Sequence, residues 1–150
     1  MKQNLKISII TVTKNSANFL EECILSVFNQ SYKNYEHIII DGNSTDKTID
    51  IIKKHKEKIS YWITEKDNGL YDAMNKGIKK STGDIIGILN SDDIFFPEAL
   101  KIVNKYFLLN NDLDFLFGSV YKHKLMHGYN PKKIKWSFGF YSTHSVGFFI

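Results

Sequence analysis

No arginine occurs in this chain, and all 20 of its basic residues are lysine. Planar, bidentate clamping of a phosphate by guanidinium is therefore excluded, so a bound diphosphate would need a metal ion, lysines or backbone N–H groups. The same absence argues against nucleic acid as a partner, because Arg is the usual base-reading and stacking side chain. A single cysteine, Cys23, rules out an internal disulfide. It falls on the apolar stripe of a predicted helix and reads as a small core residue, not a reactive thiol. Every apolar run falls well short of the roughly 18–20 residues that span a bilayer. Met1-Lys2-Gln3-Asn4-Leu5-Lys6 leads straight into a strand without a signal region, so a cytoplasmic protein is expected. Without a secretion signal, the acceptor patterns Asn29-Gln30-Ser31 and Asn43-Ser44-Thr45 are chance matches. Neither a G-x-G-x-x-G nor a Walker A segment is present, which argues against dinucleotides and against ATP held in a P-loop.

What is there suits one soluble domain. With 150 residues, 43% hydrophobic and 14% aromatic, the chain can bury a real core, and residues 1–150 are expected to form a single unit. The net charge of +4 gathers in two lysine clusters. Lys53-Lys54-His55-Lys56-Glu57-Lys58 reads as a solvated helix end. Lys132-Lys133-Ile134-Lys135-Trp136, interleaved with an aromatic, fits peripheral contact with an anionic membrane surface or a lipid phosphate.

Strand and helix patterns alternate from the start, the signature of βαβ units and of an α/β fold with a mostly parallel sheet. Lys6 to Thr13 is a strand rich in β-branched residues. A helix follows, in which Phe19, Leu20, Cys23, Ile24, Val27 and Phe28 recur at helical spacing. Tyr35 to Ile40 is the second strand, and Ser44, Thr45 or Asp46 is placed to cap the next helix, which carries Ile49 and Ile52 inward and ends near Lys58. Ile59 to Thr64 is a third strand. A helix then presents Ala73, Met74, Gly77 and Ile78, and the strand at Ile85 is followed by a helix that Pro97 opens, through about Asn110. Phe115 to Tyr121 reads as a further strand, and the stretch through Gly128 and Pro131 as a loop or small hairpin. Ser145 to Ile150 is strand-like and apolar to its last residue, so the chain looks cut there; bare Phe148, Phe149 and Ile150 would favour self-association.

The chemistry sits at the strand ends. Ile85-Ile86-Gly87-Ile88-Leu89 is too short for a helix and suits a strand buried on both faces; it delivers Asn90-Ser91-Asp92-Asp93 into a crevice. Two adjacent carboxylates repel, and such a pair is tolerated mainly when a cation sits between it and a polyanion. Ile38-Ile39-Ile40 runs likewise into Asp41-Gly42-Asn43-Ser44. The loops Thr13-Lys14-Asn15, Asp41-Gly42-Asn43, Asp67-Asn68-Gly69 and Asn90 to Asp93 should thus rim one pocket. There Asp41 could accept a hydrogen bond from a pyrimidine N–H, while Asp92 and Asp93 divide between a ribose hydroxyl and a divalent metal. Structural readings stand beside these: an Asx-turn and cap for Asp41, a common turn for Asp67-Asn68-Gly69, and helix-start acids for Asp92-Asp93. His37 lies in a strand, and His55, His123 and His127 read as solvated. Only His123 and His127 have metal-ligand spacing, in a loop, so a zinc site is not expected.

Ser8 to Asn15, Ile40 to Asp46, Asp67-Asn68-Gly69-Leu70-Tyr71-Asp72-Ala73-Met74-Asn75-Lys76-Gly77 and Thr82-Gly83-Asp84 through Asp93 together resemble the family 2 glycosyltransferases. The likeness covers nearly the whole chain and rests on four segments in order. It implies a Rossmann-like GT-A fold, seen as its donor-binding half. The activity implied is inverting transfer of a sugar from a nucleotide diphosphate donor, a UDP-sugar first, with Mn²⁺ or Mg²⁺. The acceptor would be a saccharide or lipid-linked molecule in bacterial surface-glycan synthesis. By position, Asp41 would contact the base, Thr13 and Lys14 would line the nucleoside pocket, and Asp92 and Asp93 would form the Asp-x-Asp-type motif, with Asn90 where Asp is commoner. Thr143-His144-Ser145-Val146-Gly147-Phe148-Phe149 resembles the stretch before the acceptor side, making His144 a candidate ligand contact. The resemblance puts the general base beyond Ile150. Two other readings stay open: a nucleotide-sugar-binding module without transfer, and a nucleotidyltransferase, which normally carries a Gly- and Arg-rich loop not found here.

Overall fold

The computed structural model describes residues 4–110, 112–117, 120–122, 124–126 and 148–150. Its centre is β1 (Ile7–Thr13), in which every residue is buried. A strand covered on both faces reads as a continuous apolar and β-branched run, which is what Ile7-Ser8-Ile9-Ile10-Thr11-Val12-Thr13 supplies. β1 pairs in parallel with β2 (Tyr35–Asp41) on one side and β4 (Ile85–Ile88) on the other, and β2 pairs in parallel with β3 (Tyr61–Thr64). Beyond β4 lie β8 (Phe148–Phe149), antiparallel to it, and then β5 (Leu116–Phe117), giving a six-stranded sheet in the order β3-β2-β1-β4-β8-β5. β6 (Val120–Lys122) and β7 (Lys124–Met126) form a separate hairpin.

Helices cover both faces. α1 (Leu20–Phe28) buries Leu20, Cys23, Ile24 and Val27, one stripe at helical spacing. It lies with α2 (Thr48–Lys54), whose Ile52 points inward, over Ile39, and with α4 (Ala99–Leu109) over Ile7, Ile9 and Leu89. α3 (Leu70–Lys80) covers the other face, where Ala73 packs with Ile10, Val12, Ile38, Ile40 and Ile88. It comes so close that a Cβ on Gly77 would stand 2.4 Å from Ile10 Cγ2. Gln30, fully buried just after α1, donates to the carbonyls of Ser26 and Phe96 and accepts the Leu100 N–H at 3.1 Å, satisfying a free donor in the first turn of α4.

Three expectations need correction. The strand read over Phe115 to Tyr121 is divided: Leu116–Phe117 joins the main sheet and Val120–Lys122 turns into the hairpin, so the small hairpin begins earlier than the sequence suggested. Phe149 is not a bare sheet end. It inserts between β4 and β5, is 2% exposed and stacks on Phe95 with ring centroids 5.8 Å apart. His55 is not solvated either, because it is buried where α2 ends and its Nε2 lies 2.8 Å from Glu21 Oε1.

At the amino-terminal edge, Glu36 gathers hydrogen bonds from Lys6 Nζ at 2.7 Å, Ser8 Oγ at 2.6 Å and the Thr82 N–H at 2.7 Å. Burial alone would raise this carboxyl; those bonds outweigh it and hold its pKa at about 2. The anchor lies at the opposite end of the strands from the candidate site.

Candidate functional site

The chain lays down β1, β2 and β3 outward in one direction and then returns to place β4 on the other flank of β1. The order reverses between β1 and β4, and open α/β sheets form a crevice outside the carboxyl ends at such a point. The loops leaving β1 and β4 meet there, where Ser91 Oγ donates to Ser16 Oγ at 2.8 Å.

The loop after β2 is built around Asp41. This residue is fully buried, and its carboxylate accepts the Ser44 N–H at 3.0 Å, the Ser44 hydroxyl, and Thr64 Oγ1 at 2.5 Å. The turn reading left open by the sequence is thus what the carboxylate does here. Ser44 in turn accepts the Asn15 N–H at 2.8 Å, and Asn15 Oδ1 accepts the Thr45 N–H at 2.8 Å, so the loops after β1 and β2 are sewn together. Asn15 and Asn43 both hold positive φ, 52° and 61°, a conformation Asn adopts more readily than other side chains. Of the three expected caps, Asp46 serves α2, accepting the Thr48 N–H at 2.9 Å.

Gly42 is the meeting point of three loops. A Cβ there would stand 2.3 Å from Asp67 Oδ2 and 3.4 Å from Lys14 Cδ, so both side chains lie directly over its bare backbone. Asp67 Oδ1 accepts the Gly69 N–H at 3.0 Å, and Gly69, at φ 110°, starts α3 in a conformation few other residues tolerate.

Thr13 ends β1 directly opposite Asp41 in the register. Its Oγ1 is buried and has no hydrogen-bond partner among the described residues. Unpaired buried hydroxyls are rare, and this one lies on the last residue of β1, where the loop of the crevice begins.

After β4, the Asp93 N–H donates to the Asn90 carbonyl at 3.1 Å and Asn90 Nδ2 donates to Asp93 Oδ2 at 3.2 Å, forming a closed turn. Asp92 is exposed and Asp93 half-buried. α4 begins at Ala99, so neither acid lies in its first turn, and the helix-start reading of this pair does not hold. No cluster of three His, Cys, Asp or Glu side chains suited to a metal is present among the described residues. Two adjacent carboxylates still match Mg²⁺ or Mn²⁺, hard cations commonly held by one or two carboxylates with phosphate oxygens and waters completing the shell.

The structure therefore brings Thr13, Lys14, Asn15, Asp41, Asn43, Asp67, Gly69, Asn90, Asp92 and Asp93 to one sheet edge, whereas His144 lies outside the described residues. Ser16, Ser44, Thr64 and Ser91, which lace these loops together, were not singled out as site residues from sequence. Their only signal was position, each falling at or just past a strand end.

Residues 8–148 match the model of glycosyl transferase family 2. Among relatives, the chain is 40% identical over 117 residues to an uncharacterized glycosyltransferase of Haemophilus influenzae, covering 75% of this chain and 46% of that protein. It is 38% identical over 111 residues to one of Rickettsia bellii, covering 73% of this chain and 16% of the other. The chain thus spans less than half the length of these relatives. Staphylococcus aureus TarS 1-349 in complex with UDP-GlcNAc superposes with a TM-score of 0.70 at 26% identity, over 75% of this chain and 33% of that one. A mannosyltransferase of Pyrobaculum calidifontis, PcManGT, in complex with GDP-Man and Mn²⁺, shares the fold with a TM-score of 0.68 at 22% identity, over 79% and 36% of the two chains. Fold, loop constellation and family match agree: this chain belongs to glycosyl transferase family 2.

Proposed function

We propose that this chain is the donor-binding part of an inverting glycosyltransferase. It would take a sugar from a nucleotide diphosphate, a UDP-sugar first, for a saccharide or lipid-linked acceptor in surface-polysaccharide synthesis. The buried, unpartnered Thr13 hydroxyl, set beside Asp41 at the switch point of the sheet, carries this reading. In it, Thr13, Lys14, Asn15, Asp41 and Asn43 hold the nucleoside, Asp67, Gly69 and Asn90 line the donor, and Asp92 reaches the ribose. Asp92 and Asp93 together hold a divalent ion, Mn²⁺ or Mg²⁺, which when bound neutralises the diphosphate and improves it as a leaving group. The complex of TarS with UDP-GlcNAc and that of PcManGT with GDP-Man and Mn²⁺ support this choice of ligand class. No helix among the described residues is long and apolar enough to cross a membrane; contact with a membrane surface is proposed, from sequence, for the lysine cluster around Lys133, which lies outside the described residues.

The test is calorimetry with UDP and with GDP, in Mn²⁺ and in EDTA. With no guanidinium in the chain, affinity should fall at least about tenfold without the ion, and Asp93→Asn should remove most of that difference while leaving the melting temperature in place. Equal affinity in both buffers would defeat the metal assignment, and no binding of either nucleotide would defeat the reading as a whole.

A further inference from the structure

A line of buried polar side chains crosses the core toward this site. His37 on β2, Thr11 on β1 and Cys23 on α1 are all fully buried, among apolar neighbours. His37 Nε2 lies 2.9 Å from Thr11 Oγ1, Thr11 Oγ1 lies 3.8 Å from Cys23 Sγ, and Cys23 Sγ donates to the Asn90 carbonyl at 3.6 Å. The direction of the chain follows from its last member. A carbonyl only accepts, so the thiol proton points to Asn90 and the sulfur is left to accept from the Thr11 hydroxyl. With the His37 proton on Nε2, the Thr11 oxygen accepts it and the Thr11 hydroxyl turns to the sulfur; with the proton on Nδ1 that hydroxyl would turn to His37 instead. The first arrangement leaves His37 Nδ1, buried and without a partner among the described residues, as a bare lone pair instead of a stranded N–H, the cheaper of the two. Burial, aided by the nearby Asp93 and Asp92 charges, pushes the Cys23 thiol up to about 12 against the Thr11 hydrogen bond, so the donor persists at physiological pH.

The acceptor of this chain is the Asn90 carbonyl, the same oxygen that closes the Asn90 to Asp93 turn by accepting the Asp93 N–H. We propose that Cys23 is a positioning residue: its thiol, ordered by Thr11 and His37, clamps the Asn90 carbonyl and thereby holds the turn that presents Asp92 and Asp93 to the donor diphosphate. The functional half of this inference rests on the donor-site reading above. Thiol hydrogen bonds are weak singly, but this one closes a line that joins three elements of the core to the turn.

The experiment compares wild type with Cys23→Ala and with Thr11→Val, which keeps the shape of Thr11 and removes its hydroxyl. The chain has one cysteine, so its S–H stretch is a single infrared band. It should appear at a hydrogen-bonded frequency and shift in Thr11→Val; a free-thiol band in wild type overturns the clamp. Amide exchange at Asp93, read by NMR against Ile39 as a core reference, should quicken about tenfold in Cys23→Ala, and unchanged exchange also overturns the clamp. By calorimetry, the Mn²⁺-dependent gain in UDP affinity should fall roughly tenfold in both variants while the affinity in EDTA stays put, the pattern of a group that orients metal ligands. An undiminished gain overturns the positioning role. Should wild type bind UDP with no Mn²⁺-dependent gain, the metal assignment fails; should it bind neither UDP nor GDP, the donor-site reading fails; in both cases faster Asp93 exchange in Cys23→Ala would still establish the clamp on the turn.

Discussion

Thr64 Oγ1 donates to Asp41 Oδ2 at 2.5 Å, joining the side chains that end two neighbouring strands. Because β2 and β3 are paired up to these two residues, the bond fixes the point from which both loops leave the sheet.

Asp41 therefore has a structural and a ligand-facing task, and two variants separate them. Thr64→Val should lower stability by about 1 kcal/mol, the worth of one hydrogen bond, with donor affinity unchanged. Asp41→Ala strands the Ser44 N–H, the Ser44 hydroxyl and Thr64 Oγ1, and should cost about 1–3 kcal/mol in urea denaturation. The affinity of its folded fraction for UDP should fall as well; an undiminished affinity would reduce Asp41 to the turn alone.

His37 makes the fold sensitive to acid. Burial pulls its pKa from 6.5 to about 3, so between those values the unfolded chain carries a proton that the folded chain refuses. Stability should be full above about pH 6.5 and fall by about 1.4 kcal/mol per pH unit below it. His37→Gln, which keeps an N–H toward Thr11 but has no titrating ring, should flatten the curve of unfolding free energy against pH over that window. A curve as steep as wild type would mean that another group governs the acid limb.

Glu36 acts lower on the scale. Its folded pKa of about 2 lies below the ordinary 4.5, so its bonds to Lys6, Ser8 and Thr82 contribute fully above pH 4.5 and are lost as the pH falls toward 2. Glu36→Gln should destabilise the protein at pH 7 by about 1–3 kcal/mol and remove the extra steepening below pH 4.5. Thermal melts of the His37 and Glu36 variants from pH 7 to pH 2.5 would separate the two contributions, which overlap between pH 4.5 and about 3.

Gly42→Ala should perturb the site more than the fold. The added methyl meets the far ends of Asp67 and Lys14, two flexible side chains that can swing aside, so the stability change should stay below about 1 kcal/mol. Displacing both from the crevice should weaken UDP binding by about tenfold, or about 1.4 kcal/mol. A large drop in melting temperature with intact affinity would reverse this assignment.

The parallel core was legible because β1, β2 and β4 carry short apolar, β-branched runs such as Ile38-Ile39-Ile40 and Ile85 to Ile88, and the site loops were legible because they follow the ends of strands. The division after Phe117 was not: Gly118-Ser119 interrupts an otherwise β-favouring stretch, but a glycine can also sit inside a strand, and only pairing partners decide whether one ends there. Nor could Asp41 reveal its partners. Ser44 follows it closely, but Thr64 is brought to it by the pairing of β2 with β3, and no local pattern encodes that meeting. His37 and Cys23 looked like isolated residues because the line between them exists only once β1, β2 and α1 are stacked.

Gly87 sits opposite Phe149, and a Cβ there would come within 2.4 Å of the Phe149 ring. That bare position is a reserved seat, filled by a residue that comes much later in the sequence. During synthesis β1, β2, β3 and β4 emerge early and assemble from short-range βαβ closures, whereas among the described residues β5 joins the main sheet through β8. A ribosome-bound chain must therefore carry an open β4 edge until Phe149 leaves the exit tunnel, and an early stop would release a sheet whose newest edge invites strangers.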